Sequence, residues 1–135
     1  MSTPSHFDQL LHAAAAQPQP QRLLFVFATA ELPDDATPAQ RQRFAAGSGG
    51  SLAPSMCVDK SPAELSGFDA LVAESRKAGP PWQVMFAAAL SGREGRPPTA
   101  EQVDRALQTL VERVRGGMVD GLLALDPSGE ALQFA

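Results

Sequence analysis

The sequence predicts a single α/β (α+β) domain over residues 1–135, with a mixed four- to five-stranded sheet, helices packed on it and a C-terminal β-hairpin. Three observations lead there. Apolar runs short enough to be strands alternate with segments of helical periodicity in the order α-β-α-β-α-β-α-β-β. Most of the helical segments open on recognisable caps. The chain of 135 residues with 44% hydrophobic and 19% charged residues fits one domain with one core.

The first helix opens at Ser5-His6-Phe7-Asp8 and carries Phe7, Leu10, Leu11 and Ala14 along one stripe. Leu23-Leu24-Phe25-Val26-Phe27 follows as a continuous apolar run, the pattern of a strand covered on both faces. Thr37-Pro38-Ala39-Gln40 opens a second helix that has little apolar surface to bury beyond Phe44. Leu52 to Val58 reads as a third-rank strand, because Pro54 removes a ladder donor and points to an edge or a bulge.

Ser61-Pro62-Ala63-Glu64 combines a hydroxyl cap, proline at the first helical position and a glutamate that closes a capping box. Leu65, Phe68, Leu71 and Val72 then form a stripe that ends at Gly79 before Pro80-Pro81. Val84 to Leu90 is the next strand, expected at the centre of the sheet beside Leu23–Phe27. Thr99-Ala100-Glu101-Gln102 opens the last helix, with Val103, Leu107, Leu110, Val111 and Val114 on one face and Gly116-Gly117 at its end. Asp126-Pro127-Ser128-Gly129 is a type I turn signal joining Leu122–Leu125 to Ala131–Phe134. The expected core comprises Leu24, Val26, Phe68, Leu71, Phe86, Leu107 and Leu110.

Charge narrows the function classes. A net charge of −4 offers no broad cationic field for phosphate backbones, so no nucleic-acid partner is expected. The N-terminal stretch lacks a basic segment, and no apolar run approaches about 20 residues. A cytoplasmic protein with no membrane partner is therefore expected. One cysteine rules out an internal disulfide and suits a reducing compartment.

Few residues carry chemistry. Cys57 is the sole thiol, near Lys60 and a helix cap, which is the setting a nucleophilic thiolate needs. The competing reading, a buried strand cysteine acting as a small hydrophobe, is favoured. His6 and His12 lie six residues apart, on different helical faces, where a paired metal site needs a spacing of three or four. No metal and no cofactor are expected. Asp59 and Lys60 end a strand, a position where ligands gather in open sheets, although a solvated connector is the favoured reading. Arg93 and Arg96, in Ser91-Gly92-Arg93-Glu94-Gly95-Arg96-Pro97-Pro98, stand before a helix N-terminus with two flexible glycines and form a candidate anion cradle, although a plain exposed loop with solubilising charges is the favoured reading. Glu31, Asp34 and Asp35 read as turn and helix-end acids, and Trp82 as a core residue.

The stretches "RLLFVFATAELPDDATPAQRQRF", "MCVDKSPAEL" and "WQVMFAAALSGREGRPPT" resemble those of a group of small bacterial proteins of about this length. Members often carry the label "ribonucleotide reductase subunit alpha". The resemblance spans nearly the whole chain, Phe7 to Phe134, and implies no active-site residues. Reductase catalysis itself needs a long barrel, a thiyl cysteine with a further cysteine pair, and in one class a tyrosine relay. With 135 residues, one Cys and no Tyr, this chain excludes that chemistry. The expected function is a non-catalytic protein-binding or accessory module, with self-association as one form and the exposed edge near Pro54 and the C-terminal hairpin as candidate interaction surfaces. The alternative is a small-ligand protein or enzyme acting on an anionic metabolite among Asp59, Lys60, Arg93 and Arg96.

Overall fold

The structure is a computed structural model that describes residues 5–31, 37–39 and 51–132. In chain order its elements are α1 (His6–Ala15), β1 (Gln21–Glu31), β2 (Ser51–Lys60), a 3-10 turn (Pro62–Glu64), α2 (Phe68–Ala78), β3 (Val84–Ser91), α3 (Ala100–Arg115) and β4 (Leu123–Leu125). The four strands form one sheet in the order β2-β1-β3-β4. Of the expected second helix, 38 and 39 are helical; the rest lies outside the described residues, as do Asp34, Asp35 and Phe134.

Alternation within β1 explains the layers. Leu23, Phe25 and Phe27 point to one face, where Met85, Ala87, Leu71, Val72, Phe7 and Trp82 meet them. Leu24, Val26 and Ala28 point to the other, against Phe86, Val103, Leu107, Leu110 and Val114. Thus α1 and α2 cover one side of the sheet and α3 the other, and both central strands are buried on two faces. Each side chain so buried contributes roughly 1.5–3 kcal/mol of hydrophobic transfer. Of the expected core residues, Phe68 alone is only half-buried, packed on Phe7 with ring centroids 5.4 Å apart.

Every strand pairing is antiparallel, so the sheet realises the α+β side of the expected class without parallel neighbours. The crossover β2-α2-β3 does join strands of the same direction, but β1 lies between them. This is a split βαβ unit. Helix alternation alone cannot distinguish it from an adjacent parallel pair.

Local signals place the ends. Pro54 lies on an edge strand and beside a bulge: Phe27 faces Met56 and Ala28 faces Pro54, leaving Ser55 as the extra residue. The Ser55 hydroxyl donates to the carbonyl of Phe27 at 3.2 Å, which anchors the bulge. At α3, the Gln102 N–H donates to Thr99 Oγ1 at 3.1 Å and the Thr99 N–H to Gln102 Oε1 at 2.9 Å, the expected capping box. That helix stops at Gly116, and Gly117 at φ 73° lets the Met118 N–H reach back to the Arg113 carbonyl at 2.8 Å.

One helix start differs. The box at Ser61 forms, with the Ser61 N–H donating to Glu64 Oε1 at 2.9 Å, but it caps a single 3-10 turn. Leu65 then turns extended, and α2 begins three residues later behind Gly67 at φ 155°.

Candidate functional site

The four residues proposed to hold an anion lie at one end of the sheet. Leu23 faces Lys60 and Gln21 faces Ser91 across β1, so the end of β2 and the turn after β3 flank the start of β1. Asp59 and Lys60, however, are successive strand residues and point to opposite faces. Each has its own partner: Asp59 Oδ2 accepts from Arg22 Nε at 2.6 Å, and Lys60 Nζ meets Glu74 Oε1 at 2.9 Å. Arg22 also reaches Glu64 Oε1 at 2.9 Å, tying β1, β2 and the 3-10 turn together. The hydrogen bond from Arg22 to Asp59 strengthens the guanidinium's hold on its proton. Backbone donation from Ser61, followed by its hydroxyl and Arg22, holds the Glu64 carboxyl below the usual carboxylate range.

The arginine loop is a tight, exposed turn, closer to the plain loop favoured from the sequence than to the flexible cradle weighed against it. Arg93 and Arg96 exchange backbone hydrogen bonds at 3.0 and 2.9 Å, closed by Glu94 at φ 54° and Gly95 at φ 76°. Positive φ at both central positions makes it a type I′ turn. A Cβ on Gly92 would stand 1.9 Å from the Arg96 carbonyl oxygen, so that glycine serves close packing. The Gly95 N–H, which an anion cradle would use, already donates to Gln19 Oε1 at 2.7 Å. Both arginine side chains are exposed.

Cys57 corrects the expectation of a buried thiol: it is exposed on β2. The alternation expected of the strand holds, with Met56 and Val58 packed toward the α2 face. Cys57 faces Val26 and so belongs to the α3 side. An edge position explains the exposure, because α3 only partly overhangs it. His6 and His12 are exposed on α1, across the sheet from the thiol, so neither is placed to serve it as a base. Trp82 is in the core as expected: its indole lies 5.0 Å from the Phe27 ring and donates to Ser75 Oγ at 2.8 Å.

The sequence reading missed the shape of the β2 edge. Among the described residues β2 pairs with β1 alone, and a groove flanks it on each face. Toward α3, about 390 Å³ of space lies between Cys57 and the helix residues Asp104, Leu107, Gln108, Val111, Glu112 and Arg115. Toward α2, about 360 Å³ is bounded by Met56, Cys57, Val58, Phe27, Leu71, Glu74, Ser75 and Ala78. The apolar residues of α3 were legible as a core stripe; that the stripe overhangs a strand edge depends on strand order. The opposite edge is short, and its β4 is screened by the returning hairpin arm, where Ala131 bridges Leu125 and the Leu132 N–H donates to the Ala124 carbonyl at 2.8 Å.

A larger space of about 720 Å³ lies between the first turns of α1 and α2 and the Ser128–Glu130 turn. Asp8 and Asp69 stand in those first turns and offset the positive helix ends themselves.

Fold and site together define a small α+β protein with a long, bilaterally grooved strand edge. No family model matches the chain, and no curated protein or solved structure matches it significantly. Among the described residues, no helix is long and apolar enough to cross a membrane.

Proposed function

We propose that this protein is a non-catalytic binding module whose β2 edge takes up an extended segment of a protein partner. One observation carries the reading: the edge strand lies between two part-apolar grooves, one on each face of the sheet. An added strand sends alternate side chains to opposite faces, so it fills both grooves while its backbone extends the ladder. The polar residues at the end of β2 support the same reading indirectly. Asp59 and Lys60 are engaged in ion pairs within the chain, which leaves the exposed arginines as the free charge for the anionic-metabolite alternative.

The test is a quantitative pull-down with tagged protein, beside Val111→Glu in the α3 groove and Arg93→Ala/Arg96→Ala in the turn. A partner retained at stoichiometric level by the wild type and the arginine variant, and released by Val111→Glu, supports edge binding. Release by the arginine variant alone moves the contact to the turn and overturns the edge assignment.

A further inference from the structure

We infer that the strand taken up at the β2 edge is β2 of a second copy of this chain, related by a two-fold axis beside Cys57. This rests on the edge-binding reading and names its partner.

The residues that α3 presents to the groove follow one helical face, whose spacing reads the same from either end, and its two ends carry opposite charges. Asp104 and Arg115, Leu107 and Glu112, and Gln108 and Val111 are each equidistant from the midpoint between 109 and 110. Asp104 and Arg115 are about three helical turns apart and so share a stripe. A two-fold axis across that midpoint sets the two α3 helices antiparallel. It brings Asp104 of each copy opposite Arg115 of the other, forming two opposite-charge pairs at the ends of the contact. Gln108 then meets Val111 at its centre.

The strand beneath agrees. Cys57 is the β2 residue that lines this groove, which puts the same axis beside the thiol. Antiparallel pairing centred there sets Met56 against Val58, Ser55 against Asp59 and Pro54 against Lys60. No like charges meet, and the apolar pair falls on the α2 side, continuous with Leu71. Pro54 and the bulge at Ser55 confine the ladder to the residues next to Cys57, a device that blunts edges against indiscriminate pairing. An isologous interface demands a self-complementary patch.

The experiment is sedimentation velocity over a wide concentration range, with a short bis-maleimide to join thiols. The wild type is expected to dimerise reversibly and to give a covalent dimer through Cys57. Asp104→Arg sets like charges against each other twice and is expected to weaken association about tenfold or more. Asp104→Arg/Arg115→Asp exchanges the charges and restores it. All four side chains in that exchange are solvent-facing, and thermal melts confirm folding. Two outcomes overturn the inference: a monomer at every concentration, or a dimer indifferent to Asp104→Arg alone. A monomer that still loses a captured partner on Val111→Glu overturns the second copy and keeps edge binding. A monomer whose Cys57 resists maleimide shows an edge covered from within the chain and removes both.

Discussion

The indole N–H of Trp82 donates to the hydroxyl of Ser75 at 2.8 Å, and that hydroxyl donates in turn to the Val72 carbonyl at 2.6 Å. Ser75 is the buried polar residue on the α2 side of the sheet. Its burial costs little because both bonds of the hydroxyl are made. The pair also fixes the C-terminal half of α2 against the start of β3, which shapes the α2 groove through Ser75 itself.

Ser75→Ala is therefore expected to destabilise by about 1–3 kcal/mol, since it strands the Trp82 donor. In a Trp82→Phe background the same change should cost clearly less, because no donor is left behind. Urea unfolding followed by circular dichroism closes the cycle. Equal costs in both backgrounds would show that the bond contributes nothing beyond packing.

The turn after β3 separates two roles that sequence alone merges. Gly92→Ala forces a Cβ onto the Arg96 carbonyl and is expected to cost about 1–3 kcal/mol, as overpacking does. Gly95→Ala at φ 76° should cost about 1–2 kcal/mol for the left-handed backbone. Arg93→Ala and Arg96→Ala, both exposed, should stay within about 0.5 kcal/mol. Thermal melts of the four variants decide whether the loop is scaffold or cradle.

How much of this was legible depends on the range of the signal. The central strands were, because a run such as Leu23–Phe27 needs cover on both faces whatever the topology. So were Pro54 at an edge bulge and the Thr99 box. The helix at Ser61 was misplaced because a capping box specifies four residues and says nothing about the fifth. Gly67 was the available sign, a residue suited to a positive φ just before Phe68. Strand order was not legible, since the direction of a strand is shared by neighbours far apart in sequence. The grooves at β2 and the exposure of Cys57 follow from that order and were lost with it.

The capping box at Thr99 makes a sharper prediction than the one at Ser61. It starts a helix that buries Val103, Leu107, Leu110 and Val114. Thr99→Ala is expected to cost about 1 kcal/mol, the usual loss of a cap. Val111→Glu in the same helix should leave stability closer to wild type, because Val111 is only half-buried. If the melts rank the two the other way, the α3 groove is part of the core and no docking surface.

Strong acid should loosen the C-terminal turn. The Ser128 hydroxyl, and then the backbone N–H groups of Glu130, Ser128 and Gly129, hold the Asp126 carboxyl below its ordinary range. The hydroxyl contact is 2.6 Å, and the Ser128 and Glu130 N–H contacts are 2.9 and 3.0 Å. A depressed folded-state pKa stabilises the fold at every pH above the unfolded value of about 3.9. That contribution fades as pH falls through the lower folded value, when both states carry the proton. Asp126→Asn keeps an acceptor oxygen and loses the charge. Its deficit in unfolding free energy should be largest near neutrality and vanish in strong acid. A deficit that does not change with pH would assign the turn's strength to geometry alone.

Arg22 gives the last prediction, and it bears on the ligand alternative. Its guanidinium joins Asp59 and Glu64 across three elements, with about 30% of the Arg22 and Asp59 side chains exposed. Partial exposure limits such a pair to about 1 kcal/mol or less, so Arg22→Ala should lower stability only slightly. Its larger effect is chemical: Asp59 loses the partner that occupies it. If Asp59 serves an anion site through a neighbouring cation, freeing it should worsen binding of an added anion by repulsion. If Asp59 is only the strand's own anchor, Arg22→Ala leaves anion binding unchanged. Titrating inorganic phosphate against wild type and Arg22→Ala, with Arg93→Ala/Arg96→Ala as reference, separates the two. The ion pairs at the sheet end favour the second outcome, in which phosphate binds Arg22→Ala as it binds the wild type.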